Sequence, residues 1–199
     1  SEAKNIAKEI FGVSGIFRPL PSERDQNFHI QAKDQNEYVL KIANQTEQKD
    51  ALDFQNRAMV HVRRHKHRFP NGMRVCPDIC TNQKGDMIDT VISAAGNNHY
   101  VRMLSYLPGK PFATVRPHDA GLLKSLGMFI GHLDAALNDF DHPGAHRMFH
   151  WDLKQAPQII EDLMGTLGGK ANQIMIHKFL RHYQSNTRAA LDRIRQSVI

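Results

Sequence analysis

The sequence predicts an α+β chain: an antiparallel sheet with a helix laid against it, followed by helices alone. Three observations point there. Residues 20–42 read as a β-hairpin with a polar turn. Up to residue 107 the apolar periodicity runs helix, three strands, helix, then two or three strands. After Pro111 and Pro117 the pattern turns helical. That shift divides the 199 residues into an N-terminal lobe, 1–105, and a connector with a helical part, 106–199.

In chain order, Glu2–Phe11 sets Ile6 and Ile10 four apart beside Ala3 and Ala7, one face of a short helix, and Gly12 and Gly15 break it. Gly15–Leu20 is a strand ending at Pro19 and Pro21. Asn27–Ala32 and Tyr38–Ile42 flank Lys33-Asp34-Gln35-Asn36, residue types suited to a tight reversal. In the second of these strands Tyr38, Leu40 and Ile42 share one face while Val39 and Lys41 share the other. Lys41 is thus a cation inside an apolar strand, aimed to one side. It is either a solvated lysine or a fixed point charge for an anion. Thr46–His65 carries Leu52, Gln55, Met59 and Val62 at helical spacing, with Thr46 as the expected N-cap.

Val75–Ile79 and Met87–Ser93 read as short strands around the turn Asn82–Asp86. A turn at Ala95–Asn98 leads into the apolar, aromatic run His99–Leu107, which stops at Pro108-Gly109. Asp119–Leu137 bears Leu122, Leu123, Leu126, Phe129, Ile130, Leu133 and Leu137, a wide face expected to be core. Helices at about Ala156–Gly165, with Pro157 in the first turn, then Asn172–Tyr183 and Thr187–Gln196 follow. Val198-Ile199 reads as the start of a strand.

Composition excludes several classes. With 41% hydrophobic and 23% charged residues the chain suits a soluble globular domain rather than a disordered one. No apolar run approaches the roughly 18–20 residues that span a bilayer. Ser1–Asn5 has no secretory apolar region, and two cysteines build no disulfide framework, so a cytoplasmic setting is expected. The net charge is +6. Its one dense run, Arg63–Arg68, ends a helix, where cations complement the dipole, and no aromatics interleave it. Neither a nucleic-acid nor a membrane partner is expected. Cys76 and Cys80, with His65 and His67 near, are too loosely spaced for zinc, so no metal site is expected in the chain. His142, His146 and His150 surround Pro143-Gly144 and shape a loop; contact of one of them, or of Trp151-Asp152, with a substrate is the alternative.

The first lobe has the parts of a nucleotide site. A triphosphate needs backbone donors from a loop, a cation fixed on a strand and a slot for the base. Ser22–Asn27 is the candidate loop, although it lacks glycine, and Lys41 is the candidate cation. Asp53 on the next helix is the candidate partner for the lysine, with Gln55 beside it as the alternative. Leu104–Leu107 is the candidate connector whose backbone meets the base. This order of parts is that of kinase-type phosphoryl transfer, and Tyr-Val-Leu-Lys-Ile is similar to the strand signature Val-Ala-Ile-Lys.

Longer words carry a closer resemblance: Leu20–Phe28, Tyr38–Asn44, Leu52–Asn56, Leu104-Ser-Tyr-Leu-Pro-Gly-Lys-Pro-Phe112, Leu126–Asp134, and Phe140-Asp-His-Pro143 through His150-Trp-Asp-Leu153. Together they resemble the aminoglycoside phosphotransferase/choline kinase superfamily, nearest the branch of hydroxylysine kinase and of phosphotransferase domains fused to class III aminotransferases. The resemblance implies a protein-kinase-like N-lobe followed by the first helices of an incomplete helical C-lobe. It implies ATP, or GTP, as phosphoryl donor and a hydroxyl of an amino-alcohol or hydroxy-amino acid as acceptor. It puts Lys41 on the α/β-phosphates, Ser22 to Asn27 over the phosphates, Asp53 as the lysine's partner, and the Ser105 and Leu107 backbones on adenine. The family's His-Gly-Asp catalytic loop and its magnesium-binding Asn and Asp have no counterpart up to Ile199, so no catalytic residue is expected within these residues. The magnesium ligands are expected beyond Ile199, and the fragment alone is expected to be inactive. A longer parent fused to a pyridoxal-phosphate aminotransferase is a further implication. The reading that competes is a non-catalytic kinase-like or basic binding module.

Overall fold

The computed structural model describes residues 2–70, 73–148, 152–194 and 197–198. The elements are α1 (Glu2–Phe11), β1 (Gly15–Leu20), β2 (Gln26–Ala32), β3 (Glu37–Ile42), α2 (Lys49–Arg64), β4 (Ile79–Cys80), β5 (Asp89–Ile92), β6 (Asn98–Ser105), α3 (Ala120–Leu137), α4 (Ala156–Leu163), α5 (Lys170–His182) and α6 (Arg188–Leu191). They form two compact units. One holds the chain up to Ala145 together with Val198, the other His146–Ser197. The change of composition at Leu107–Pro117 falls inside the first unit. No helix among the described residues is long and apolar enough to cross a membrane.

The strands pair antiparallel in the order β1-β2-β3-β6-β4, with β5 also on β6. The period-2 pattern decides its two faces. Ile30, Leu40, Ile42, Val101 and Met103 pack with Ala3, Ile6 and Ala7 of α1, which gives the first core. Lys41 and Arg102, out of phase with those residues, are cross-strand neighbours on the opposite face, where α2 supplies Gln55 and Asn56. Gln35 takes φ 67° in the turn between β2 and β3, as a polar turn residue can. A second core joins the end of α2 to the end of α3 through Val62, Phe69, Ala136 and Leu137.

Several expectations need correcting. Helix α2 starts at Lys49 with Gln48 as N-cap, not at Thr46. The Thr46 hydroxyl is occupied elsewhere: it donates to Asn44 Oδ1 at 2.6 Å and accepts from Arg24 Nη2 at 2.9 Å. Val75–Asp78 is not strand, since Pro77 has no N–H for a ladder, and β4 keeps only Ile79–Cys80. Met87–Ser93 shortens to β5. The apolar stripe of α3 is core only at its end. Ala136 and Leu137 are buried, whereas Leu123, Leu126, Met128 and Ile130 are exposed. Added Cβ atoms at Gly127 and Gly131 of the same helix would meet nothing within 4 Å among the described residues. Asp119 caps α3 by accepting from the Leu122 N–H at 2.8 Å.

In the second unit a π turn, Tyr183–Thr187, joins α5 to α6, so the helix expected over Thr187–Gln196 is the short α6. The Tyr183 hydroxyl donates to the Leu153 carbonyl at 2.8 Å, and Lys154 pairs with Asp192 at 3.3 Å. Asp152 caps the turn after it, accepting from the Lys154 N–H at 2.9 Å. Val198 has no regular structure. His150, Trp151, Arg195, Gln196 and Ile199 lie outside the described residues.

Candidate functional site

The face of the sheet turned away from α1 carries the site. Lys41 on β3 stands opposite Asn27 on β2 and Arg102 on β6. Like charges directly opposite each other on a sheet repel. Arg102 is 4% exposed, and its guanidinium donates from Nη1 to Asn56 Oδ1 at 2.9 Å and from Nη2 to Gln55 Oε1. Burial pushes Arg102 down to about 10, with Asp25 and Glu47 pulling the other way. Burial first, then the Arg102 charge, also lowers Lys41, and Asp25 opposes them. Lys41 has no ion-pair partner among the described residues. Three buried polar atoms beside this pair or behind it lack hydrogen-bond partners among the described residues: Asn27 Oδ1, Arg102 Nε and Asn56 Nδ2.

The expected Lys41–Asp53 pair does not form. Asp53 binds Arg57 Nε at 3.4 Å, one turn along α2, and His142 Nε2 at 3.2 Å. His142 Nδ1 accepts from the Gly144 N–H at 3.0 Å, so Nε2 carries the hydrogen and donates to Asp53. The loop can approach α2 this closely because residue 144 is glycine. A Cβ there would sit 2.7 Å from the Asp50 carbonyl oxygen and 2.9 Å from Phe54 Cβ. Gln55, the alternative partner for Lys41, serves Arg102 instead.

The loop between β1 and β2 leaves Ser22 exposed and is fixed at its base. Asp25 Oδ1 accepts from both the backbone N–H and the side-chain amide of Asn44, each at 3.1 Å. Arg24 reaches Thr46 Oγ1. At the other end of β3 the connector leaves β6. The Ser105 N–H donates to the Asp78 carbonyl at 2.9 Å, and the Ser105 hydroxyl accepts from the Asp78 N–H at 2.8 Å. Any contact from the Ser105 backbone to a base therefore runs through its carbonyl. The Tyr106 N–H is committed to the Glu37 carbonyl at 2.9 Å, while the Leu107 N–H has no partner among the described residues. The His29 and Tyr106 rings lie with centroids 4.2 Å apart, tilted by 33°, and His29 Nε2 meets Glu37 Oε2 at 2.7 Å. A cavity of about 370 Å³ runs along the connector between Glu37, Tyr38, Ser105 and Tyr106.

Of the residues expected from sequence, Asn27 and Lys41 are brought together, with Ser22 on the loop above and Ser105 and Leu107 at the far end of the same strand pair. Asp53 is not with them. Arg102, Asn56 and the His29–Tyr106 shelf were missed. The signal for Arg102 was available: it interrupts the apolar run Val101–Leu104, as Lys41 interrupts β3. Cys76 and Cys80 are free thiols raised by burial, and the Cys76 thiol donates to the Met59 carbonyl.

Comparison with known proteins adds an independent line. A family model described as a phosphotransferase enzyme family matches residues 16–193. The chain is similar to a hydroxylysine kinase of Mus musculus, 30% identical, with 100% of this chain and 55% of the relative covered. A hydroxylysine kinase of Bos taurus is 29% identical over 99% of this chain and 54% of its own length. The chain thus spans about half the length of these curated relatives. Among solved structures, an amicoumacin kinase in complex with AMP-PNP, Ca2+ and Ami superposes with a TM-score of 0.65 at 13% identity, covering 91% of this chain and 49% of that one. A microcompartment-associated aminopropanol kinase superposes with a TM-score of 0.57 at 15% identity, covering 75% and 44%. At such identities the superpositions speak for the fold.

Proposed function

Because the chain belongs to the phosphotransferase enzyme family, we propose that it is the nucleotide-gripping part of a kinase that moves the γ-phosphoryl of ATP onto a hydroxyl of a hydroxy-amino acid or amino-alcohol. The observation that carries this reading is the cation pair Lys41–Arg102, side by side on one sheet face with no carboxylate ion-paired to Lys41 among the described residues. Such a pair is costly without an anion and well suited to one. The hydroxylysine kinases among its relatives and the aminopropanol kinase among its structural neighbours support the acceptor class.

In this reading the nucleotide lies along β3. Glu37 and Lys41 are four residues apart, roughly 13 Å of extended strand. The base rests at the connector, against the His29–Tyr106 shelf, with the Leu107 N–H and the Ser105 carbonyl on its edge. The phosphates reach Lys41 and Asn27, under the loop of Ser22. Lys41 neutralises phosphate charge and holds it in line, which is most of what phosphoryl transfer asks of a protein. A divalent ion, magnesium here, would supply the remaining neutralisation. The acids of this face do not fit it: Asp25 is held by Asn44 and Glu37 faces His29. We place the metal ligands and the catalytic base beyond Ile199 in the full-length protein, where a fused aminotransferase is a further expectation.

The test is turnover of the full-length protein on hydroxylysine and aminopropanol with ATP. Lys41→Met should lower kcat/KM for ATP at least about tenfold, the loss of one charge-assisted contact. Unchanged turnover and nucleotide affinity in Lys41→Met would reject the kinase reading in favour of a non-catalytic module.

A further inference from the structure

A cluster on the first unit is not used by the nucleotide site. His61 lies in the last turn of α2, His65 four residues on is its C-cap, and Asp139 follows the end of α3. One ligand atom from each falls within 4.8 Å of the others. Among the described residues this is the one such group. The two imidazole rings have centroids 4.5 Å apart, and His61 Nε2 meets Asp139 Oδ1 at 3.0 Å.

The ring nitrogens are already sorted. His65 Nδ1 lies 3.0 Å from the His61 carbonyl oxygen, which only accepts, so Nδ1 carries the hydrogen and Nε2 keeps its lone pair. A backbone carbonyl holding Nδ1–H is the usual support of a histidine that ligates through Nε2. At metal–ligand lengths of about 2.0–2.2 Å, tetrahedral ligand atoms stand about 3.3 Å apart. The His61–Asp139 contact is already at that scale. The widest separation, at most 4.8 Å, needs to close by about 1.5 Å, and the Asp139 side chain is 65% exposed.

We propose that His61, His65 and Asp139 bind a zinc-class dication, with water in the fourth position, as a clasp between α2 and the segment after α3. Two imidazoles and one carboxylate suit zinc, cobalt or nickel and not magnesium or calcium, which prefer oxygen throughout. The ion takes the place of the hydrogen between His61 Nε2 and Asp139. The clasp closes over the second core, where Val62 meets Ala136 and Leu137. It is separate from the nucleotide face: His61 lies six residues, about 9 Å of helix, beyond Gln55.

The test uses the chain freed of any affinity tag and of metal, titrated with Co2+. One equivalent should bind, with the visible absorption of a low-coordinate cobalt centre, and Zn2+ should displace it and raise the melting temperature. His65→Ala, and separately Asp139→Asn at an exposed position that leaves the fold intact, should each weaken binding at least about tenfold. The chain holds twelve histidines. Equal binding by both variants would mean that the others scatter the metal, and it would overturn the site, as would no stoichiometric binding.

Discussion

Replacing Lys41 by methionine should make the protein more stable and weaken its hold on a nucleotide at least about tenfold. Cross-strand neighbours set their Cβ atoms about 5 Å apart. With charge centres about 6 Å apart and an effective dielectric near 20, the Lys41–Arg102 repulsion is about 3 kcal/mol. Asp25 attracts both cations and offsets part of this. A net gain of about 1 kcal/mol at neutral pH is expected for Lys41→Met. The pH dependence has a definite sign. Lys41 lies below its ordinary 10.5 in the folded chain, so between its lowered value and 10.5 the unfolded chain binds more protons. Stability from this residue therefore rises with pH across that window, and the rise should vanish in Lys41→Met. Nucleotide reverses the ranking. At 100 times the wild-type dissociation constant a ligand stabilises wild type by about 2.7 kcal/mol, and a variant that binds tenfold more weakly by about 1.4 kcal/mol. Thermal melts of the full-length protein with and without AMP-PNP should thus cross over. A variant clearly less stable without nucleotide, or one that keeps the full nucleotide-induced shift, would refute the reasoning.

Two other perturbations follow from the same network. Arg102→Met strands Asn56 Oδ1 in a fully buried position and should cost about 3 kcal/mol, while Arg102→Met with Asn56→Leu should recover at least about 1 kcal/mol of it, read by urea denaturation. Gly144→Ala drives a methyl into the Asp50 carbonyl and Phe54, so the loop must lift from α2; a loss of about 1–3 kcal/mol is expected in the same assay.

The sheet and its flanking helices were legible because each strand obeys period 2 and each reversal has turn chemistry. That is why α1 and β1 match their expected bounds and β2, β3 and β6 fall within a residue or two. Side-chain competition was not legible. Thr46 has the chemistry of an N-cap, but Arg24 and Asn44, distant or out of register in sequence, claim its hydroxyl. Asp53 lies on the expected helix, yet His142, 89 residues away, takes it. Periodicity reports that α3 has an apolar face; it says nothing of whether a partner covers that face. Lys41 was found because it breaks an apolar strand. Arg102 breaks one in the same way, and the same rule applied to β6 would have paired them.

The anchoring of the loop after β1 has a consequence for exchange kinetics. Glycine-rich phosphate loops flap, admitting and releasing nucleotide as they open. Here Asp25 and Arg24 tie the loop to Asn44 and Thr46, three and five residues past Lys41 on the same length of chain. Loop and lysine are therefore tied to one length of chain. Under the proposed function, a nucleotide would meet the loop already in register with Lys41, and its exchange would require those ties and not the loop tip alone to give way.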